Sequence, residues 1–217
     1  MSQEEMIFKK IDKKIGDFEK YEDRIIAHVQ SGYFPLIYQC LYERIIPAKC
    51  SKFSTENFKI LLDNNYLRLL NDIYRTRLSK NGLDIVSNRL QEVNNFDDYK
   101  SVLHLFEECN PIKYKNGHKD PKNAFSLGTK VLHTYNPEEN PILDSVVRKN
   151  LRIGDMNQEL CLEFKKAMNR FANGHEEYFS RVNHNSIKDA LREFHLKPNF
   201  PKMKLLDMAI LYKPNGR

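Results

Sequence analysis

The sequence predicts an all-α protein of about nine to eleven helices, arranged as two lobes around one cleft. Three observations carry that prediction. Apolar residues recur at spacings of three and four along most of the 217 positions. Alternating strand patterns are nearly absent. Helical stretches are separated by capping and breaking residues, among them Ser54-Thr55-Glu56, Asn64-Asn65, Asn81-Gly82 and Asn110-Pro111.

Taken in order, Met6, Phe8, Ile11, Ile15, Phe18, Ile25, Ile26 and Val29 give a helical stretch over 3–30. YFPLIYQCLYERII, over 33–46, is a strongly apolar helix stopped by Pro47. Ser54-Thr55-Glu56 opens a helix that reaches Leu62, and Asn64-Asn65 breaks it before another over 66–78. Asn81-Gly82 reads as a turn ahead of helices over 83–93 and 96–108. PIKYKNGHKDPKN, over 111–123, is the longest irregular segment. Helices then fit 127–135, a short stretch opening at Asp144, 156–173, 185–195 and 202–212. No repeat or clear linker divides the chain, so 1–217 is expected to form one domain with its cleft near 111–152.

Composition narrows the function classes. The apolar fraction is 41% and the charged fraction 29%, values of a globular protein. No run of about eighteen apolar residues exists, so no membrane span is expected. The start, MSQEEMIFKKIDKK, is charged throughout and lacks a signal peptide's apolar stretch, which predicts a cytoplasmic protein. Cys40, Cys50, Cys109 and Cys161 are scattered without a CxxC pair, as expected of buried thiols in a reducing compartment. The seven histidines include no HExxH spacing, so neither a metal nor another cofactor is expected. A net charge of +6 fits a polyanionic partner.

One stretch carries chemistry: FSLGTKVLHTYNPEENPILDSVVRK, over 125–149. Taken residue by residue, it contains two helix starts. Asp144 stands where an N-cap belongs, Gly128 can mark a turn, and Lys130 can be a solvated helix lysine. The spacing also permits convergence. The connection over 136–143 contains Pro137 and Pro141, which favour extended backbone, and can span up to about 27 Å. The helix from Lys130 to Tyr135 rises only about 8 Å, so the chain can return Asp144 to Lys130.

Those residues resemble the signature region of the helix-hairpin-helix DNA glycosylase superfamily, the group that contains 8-oxoguanine glycosylase and endonuclease III. Gly128-Thr129-Lys130-Val131 is similar to the Gly-x-Lys step that starts one helix. Ile142-Leu143-Asp144-Ser145-Val146-Val147 is similar to the Val-Asp-x-x-Val step that opens the next. The chain reads Ala124-Phe125-Ser126-Leu127-Gly128 where the family hairpin reads Leu-Pro-Gly-Val-Gly, and its Lys-to-Asp distance is several residues shorter. It lacks the cysteine cluster that holds iron and sulfur in the endonuclease III branch.

The resemblance implies an all-helical DNA glycosylase that excises a damaged or modified base, in repair or in defence against modified foreign DNA. Asp144 falls on the essential carboxylate, and Lys130 on the lysine of members that also nick the strand. Removing a base builds positive charge at C1′ of the sugar. A carboxylate stabilises that charge or activates water, and a partly neutral lysine attacks C1′ to form a Schiff base. The implied partner is duplex DNA with an extruded base, bound by a monomer. Gly128 and Thr129 belong to the implied DNA contact. Lys113, Lys115, Lys119 and Lys122, just before the motif, can hold phosphates or form a solvated loop. Arg148, with Lys149 and Arg152, can steer DNA or face solvent.

His133, one turn from Lys130, can contact the base or sit packed and hydrogen-bonded. Phe125 and Tyr135 can stack on the base or fill the core. Asp207, in a segment similar to a late family helix, is expected to be at most structural. The alternatives are a non-catalytic helical module that binds DNA or protein on the same scaffold, and a structural helical protein.

Overall fold

A computed structural model describes residues 1–29, 52–74, 76, 78–109, 123–182 and 200–211. They form eleven α-helices and no strand. These are α1 (Gln3–Ile15), α2 (Phe18–Val29), α3 (Thr55–Leu61), α4 (Asn64–Ile73), α5 (Lys80–Gln91) and α6 (Tyr99–His104). After them come α7 (Phe125–Tyr135), α8 (Ser145–Leu151), α9 (Gln158–Gly174), α10 (Glu176–Val182) and α11 (Lys202–Leu211). The helices expected over 33–46 and 185–195 lie outside the described residues, as do Cys40, Cys50 and most of the loop over 111–123. No described helix is long and apolar enough to cross a membrane.

The local chemistry explains where several helices start and stop. The stretch over 3–30 is two helices, because Gly16 takes φ +73 and Asp17 then accepts the N–H of Lys20 to open α2. Asp63, not the Asn64-Asn65 step, separates α3 from α4; its carboxylate accepts the N–H of Tyr66. Helix α4 ends at Ile73, well before Leu78. The Asn71 side chain turns back the following segment, accepting from the Leu78 N–H at 2.8 Å and the Thr76 hydroxyl at 2.6 Å. Asn81-Gly82 lies in the first turn of α5 instead of a loop, since Ser79 caps that helix through the Gly82 N–H.

Two groups of helices share one core. Helix α1 packs along α9, burying Ile7, Ile11 and Ile15 on a face that opposes Phe164, Ala167, Met168 and Phe171. Each such isoleucine removed from water contributes about 1.5–3 kcal/mol before entropy is counted. Helix α11 lies against α2 and α8, so this group joins both ends of the described chain. In the second group α4 packs on α5, and both α4 and α6 pack on α7. Helix α9 touches α6, α7 and α11, placing α7 at the junction of the two groups.

Candidate active site

Helix α7 is the most deeply placed element near the motif: from Leu127 through Tyr135 every residue is buried. It starts at Phe125, two residues ahead of the sequence expectation, and Ala124 offers no side-chain cap. Lys130 therefore sits in the second turn, with 1% of its side chain exposed. Its Nζ donates to the Ser126 hydroxyl at 2.8 Å and the Ser126 carbonyl at 3.2 Å. It also lies 4.7 Å from the centre of the Tyr74 ring, at the end of α4. Burial pushes the Lys130 pKa down, and the charges of Asp144 and Asp207 resist that shift. Loss of water, rather than a helix N-terminus, is thus what moves the amine toward neutrality.

The connection folds back as its length allows. Asn140 closes a turn through its N–H to the Asn136 carbonyl. Its buried side chain donates to the Leu132 carbonyl at 2.8 Å and accepts Lys165 Nζ at 2.7 Å. The Thr129 hydroxyl accepts the Leu143 N–H at 3.2 Å and lies 3.1 Å from the Leu143 carbonyl. These bonds seat Asp144 against α7. Its Oδ1 accepts the N–H groups of Val146 and Val147 at 2.8 and 2.9 Å, capping α8. Its Oδ2 stands 3.7 Å from Lys130 Nζ, an ion-pair separation too long for a direct hydrogen bond. Asp144 remains 22% exposed, so one end of the pair reaches solvent.

Helix α11 holds a second, buried ion pair. Lys204 Nζ contacts Asp207 Oδ2 at 2.6 Å on α11, with each side chain 3% exposed. Burial raises the Asp207 pKa; the Lys204 charge opposes the rise and the Asp144 charge adds to it. Asp207 Oδ1 is buried and has no hydrogen-bond partner among the described residues. His28 and His133 are both held down to about 3, first by burial and then by the Lys204 charge, with Lys130 adding to the effect on His133. Lys204 belongs to the segment similar to a late family helix, to which the sequence assigned no role beyond a structural one for Asp207. The signal for the buried pair is two charges of opposite sign, three residues apart, inside the apolar run KMKLLDMAIL.

The other residues singled out in the sequence are placed as follows. Gly128 is buried against Leu103 of α6 and Phe106 just beyond it, where a Cβ would lie 2.8 Å from the Phe106 ring, so it permits close packing. Thr129 braces Leu143, and His133 is packed and hydrogen-bonded, its Nδ1 2.6 Å from the Asn140 carbonyl; both are buried and hold the connection. Phe125 and Tyr135 are core residues, the latter packed on Phe58 and Phe96. Arg148 is engaged by the Gly154 carbonyl at 2.6 Å and Asp155 at 3.2 Å, while Lys149 and Arg152 are exposed. Lys113, Lys115, Lys119 and Lys122 lie outside the described residues.

No group of three or more metal-binding side chains occurs among the described residues. Two surface hollows of about 390 and 310 Å³ are both lined in part by Arg89 and Leu105. Neither includes a residue of the Lys130 cluster, and neither concentrates reactive groups as that cluster does. Compared with known proteins, the chain matches no protein-family model, and no curated protein or solved structure matches it.

Proposed function

We propose that the chain is a DNA glycosylase that cleaves the C1′–N bond of a damaged or modified nucleotide. The observation that carries this reading is the approach of Asp144 Oδ2 to Lys130 Nζ, 3.7 Å apart although fourteen residues separate them. Two backbone N–H groups fix the Asp144 carboxylate through Oδ1, leaving Oδ2 beside the amine in a side chain that stays 22% exposed. In the monofunctional course the base departs with the glycosidic electron pair, Asp144 stabilises the cationic sugar, and water adds to C1′ while giving a proton to the carboxylate. In the bifunctional course neutral Lys130 adds to C1′ as the base leaves. Loss of a proton and opening of the sugar then give a Schiff base, from which elimination of the 3′ phosphate nicks the strand. Repair and defence against modified foreign DNA both require this bond cleavage.

A specific observation favours a second reading, a helical module that binds DNA or protein without chemistry. Lys130 is 1% exposed and already held by Ser126, as a structural ion pair would be. Incubation with duplexes carrying damaged and hypermodified bases, followed by alkali cleavage, separates the two. The glycosylase reading expects abasic sites on at least one duplex, formed by the wild type and lost in Asp144→Asn. Borohydride reduction should trap a covalent DNA adduct through Lys130 in the bifunctional case. DNA binding with no base released from any duplex would select the binding module.

A further inference from the structure

Helix α8 carries Asp144 at its N-cap and ends on Arg152 at its C-cap. Ser145, Val146, Lys149 and Arg152, spaced by three and four, form its exposed stripe, which starts beside Asp144 and ends on two cations. There the stripe meets α1, because Lys10 Nζ donates to the Arg152 carbonyl at 2.7 Å. Lys13 follows one turn later on the same face of α1 and is exposed. Lys10, Lys13, Lys149 and Arg152 thus share one corner of the molecule. Among the described residues, no hydrogen bond or ion pair engages the side chains of Lys13, Lys149 or Arg152.

The backbone at the corner is unusual. Arg152 holds φ +52, left-handed geometry that glycine adopts readily at the end of a helix. Apart from Glu108, it is the only non-glycine residue at positive φ among the described residues. An exposed arginine in that position gains little from packing and presents its charge to solvent. Neighbouring acids leave the corner positive. Asp155 is paired with Arg148 at 3.2 Å, and Asp12, two residues from Lys10, lies on another side of α1. Asp17, beyond the Gly16 break, caps α2. An anionic membrane would call for an apolar face beside the cations. Helix α1 has spent its apolar face, Ile7, Ile11 and Ile15, against α9, and Val146 is the one large apolar side chain exposed on α8.

We propose that the corner formed by Lys10, Lys13, Lys149 and Arg152 holds the phosphate backbone of duplex DNA beside the Lys130–Asp144 site. The choice of DNA rests on the reading of that site, whereas the surface itself needs no chemistry at Lys130. Arg152 lies eight residues from Asp144, about 12 Å along the helix. One strand passing Asp144 reaches the corner within about three or four nucleotides.

Anisotropy of a short fluorescein-labelled duplex, read over a series of salt concentrations, counts the phosphate contacts. Lys13→Gln, Lys149→Gln and Arg152→Gly should each weaken binding and flatten the slope of log K against log salt by about 1. The same loss of charge at exposed lysines of α5 and α6, in Lys80→Gln and Lys100→Gln, should leave the slope as in wild type. Arg152→Gly should also melt close to wild type or above it, since glycine fits the left-handed position. Should that variant fold poorly, Lys13→Gln and Lys149→Gln read the same surface.

Slopes unchanged in the corner variants, or changed equally in the α5 and α6 variants, overturn the proposal. So does a wild type without salt-dependent binding to the duplex, or one that uses these residues to bind phosphatidylserine vesicles and not the duplex. Base release reads the other claim. Corner-dependent binding with no base released from any duplex would sustain the corner and remove the glycosylase reading. Base release by a protein whose binding ignores the corner would remove the corner alone.

Discussion

Asp144 does two jobs with two oxygens: Oδ1 caps α8 and Oδ2 faces Lys130. Substitution can separate the jobs. Asparagine still caps a helix well, so Asp144→Asn should melt close to wild type, whereas Asp144→Ala should lose about 1 kcal/mol with the cap. Under the glycosylase reading both variants lose base release by about a hundredfold or more, because both lack the carboxylate. A rate that followed the cap, falling in the alanine variant alone, would take Asp144 out of the chemistry. Lys130→Met tests the partner. It removes an amine whose burial disfavours its charge and leaves Asp144 with solvent contact and two N–H donors. Its stability in urea should therefore lie within about 1 kcal/mol of wild type, or above it. A loss of several times that size would make the ion pair a support of the fold.

At the scale of elements, the site depends on how the connection after α7 is held, and that hold runs through Thr129 and Asn140. Thr129→Val keeps the shape but loses both bonds to the Leu143 backbone, and should cost about 1–3 kcal/mol. It should also weaken any Lys130–Asp144 chemistry while leaving both residues in place. Full base release by a destabilised Thr129→Val protein would show that the connection does not position Asp144. These same residues mark where the sequence was legible and where it was not. The Pro137 and Pro141 spacing, with Asp144 as a cap, allowed the return of the chain, because chain reach and capping are local properties. For Thr129, His133 and Gly128 the sequence left a DNA contact open, beside a packed histidine and a turn glycine, because nothing in their own spacing reports burial. Their roles come from Leu143, Asn140 and Phe106, partners brought in by tertiary packing. Element boundaries follow the same rule: the Gly16 break and the caps Asp63 and Ser79 are short polar signals within apolar periodicity, and Asn71 acts across several residues.

For the whole molecule, the buried titratable groups predict how stability depends on pH. His28 and His133 have folded-state pKa values of about 3, against 6.5 for a free imidazole. Between those values the unfolded chain binds more protons, so stability rises with pH and is lost as pH falls through that window. Lys130 acts in the same direction at high pH, since the unfolded amine keeps its proton up to 10.5 and the folded one releases it earlier. Asp207 opposes the histidines. Its folded carboxyl keeps a proton above 3.8, so its contribution falls as pH rises toward its raised value. Two imidazoles against one carboxyl leave acid destabilisation as the net result. Removing one imidazole isolates it: His133→Gln can still donate to the Asn140 carbonyl but cannot take up a proton. Urea unfolding between about pH 6 and pH 4 should give this variant a shallower slope, by up to about 1.4 kcal/mol per pH unit, the value for one proton. An unchanged slope would mean that His133 is not the neutral, buried group that the packing of α7 against its own connection makes it.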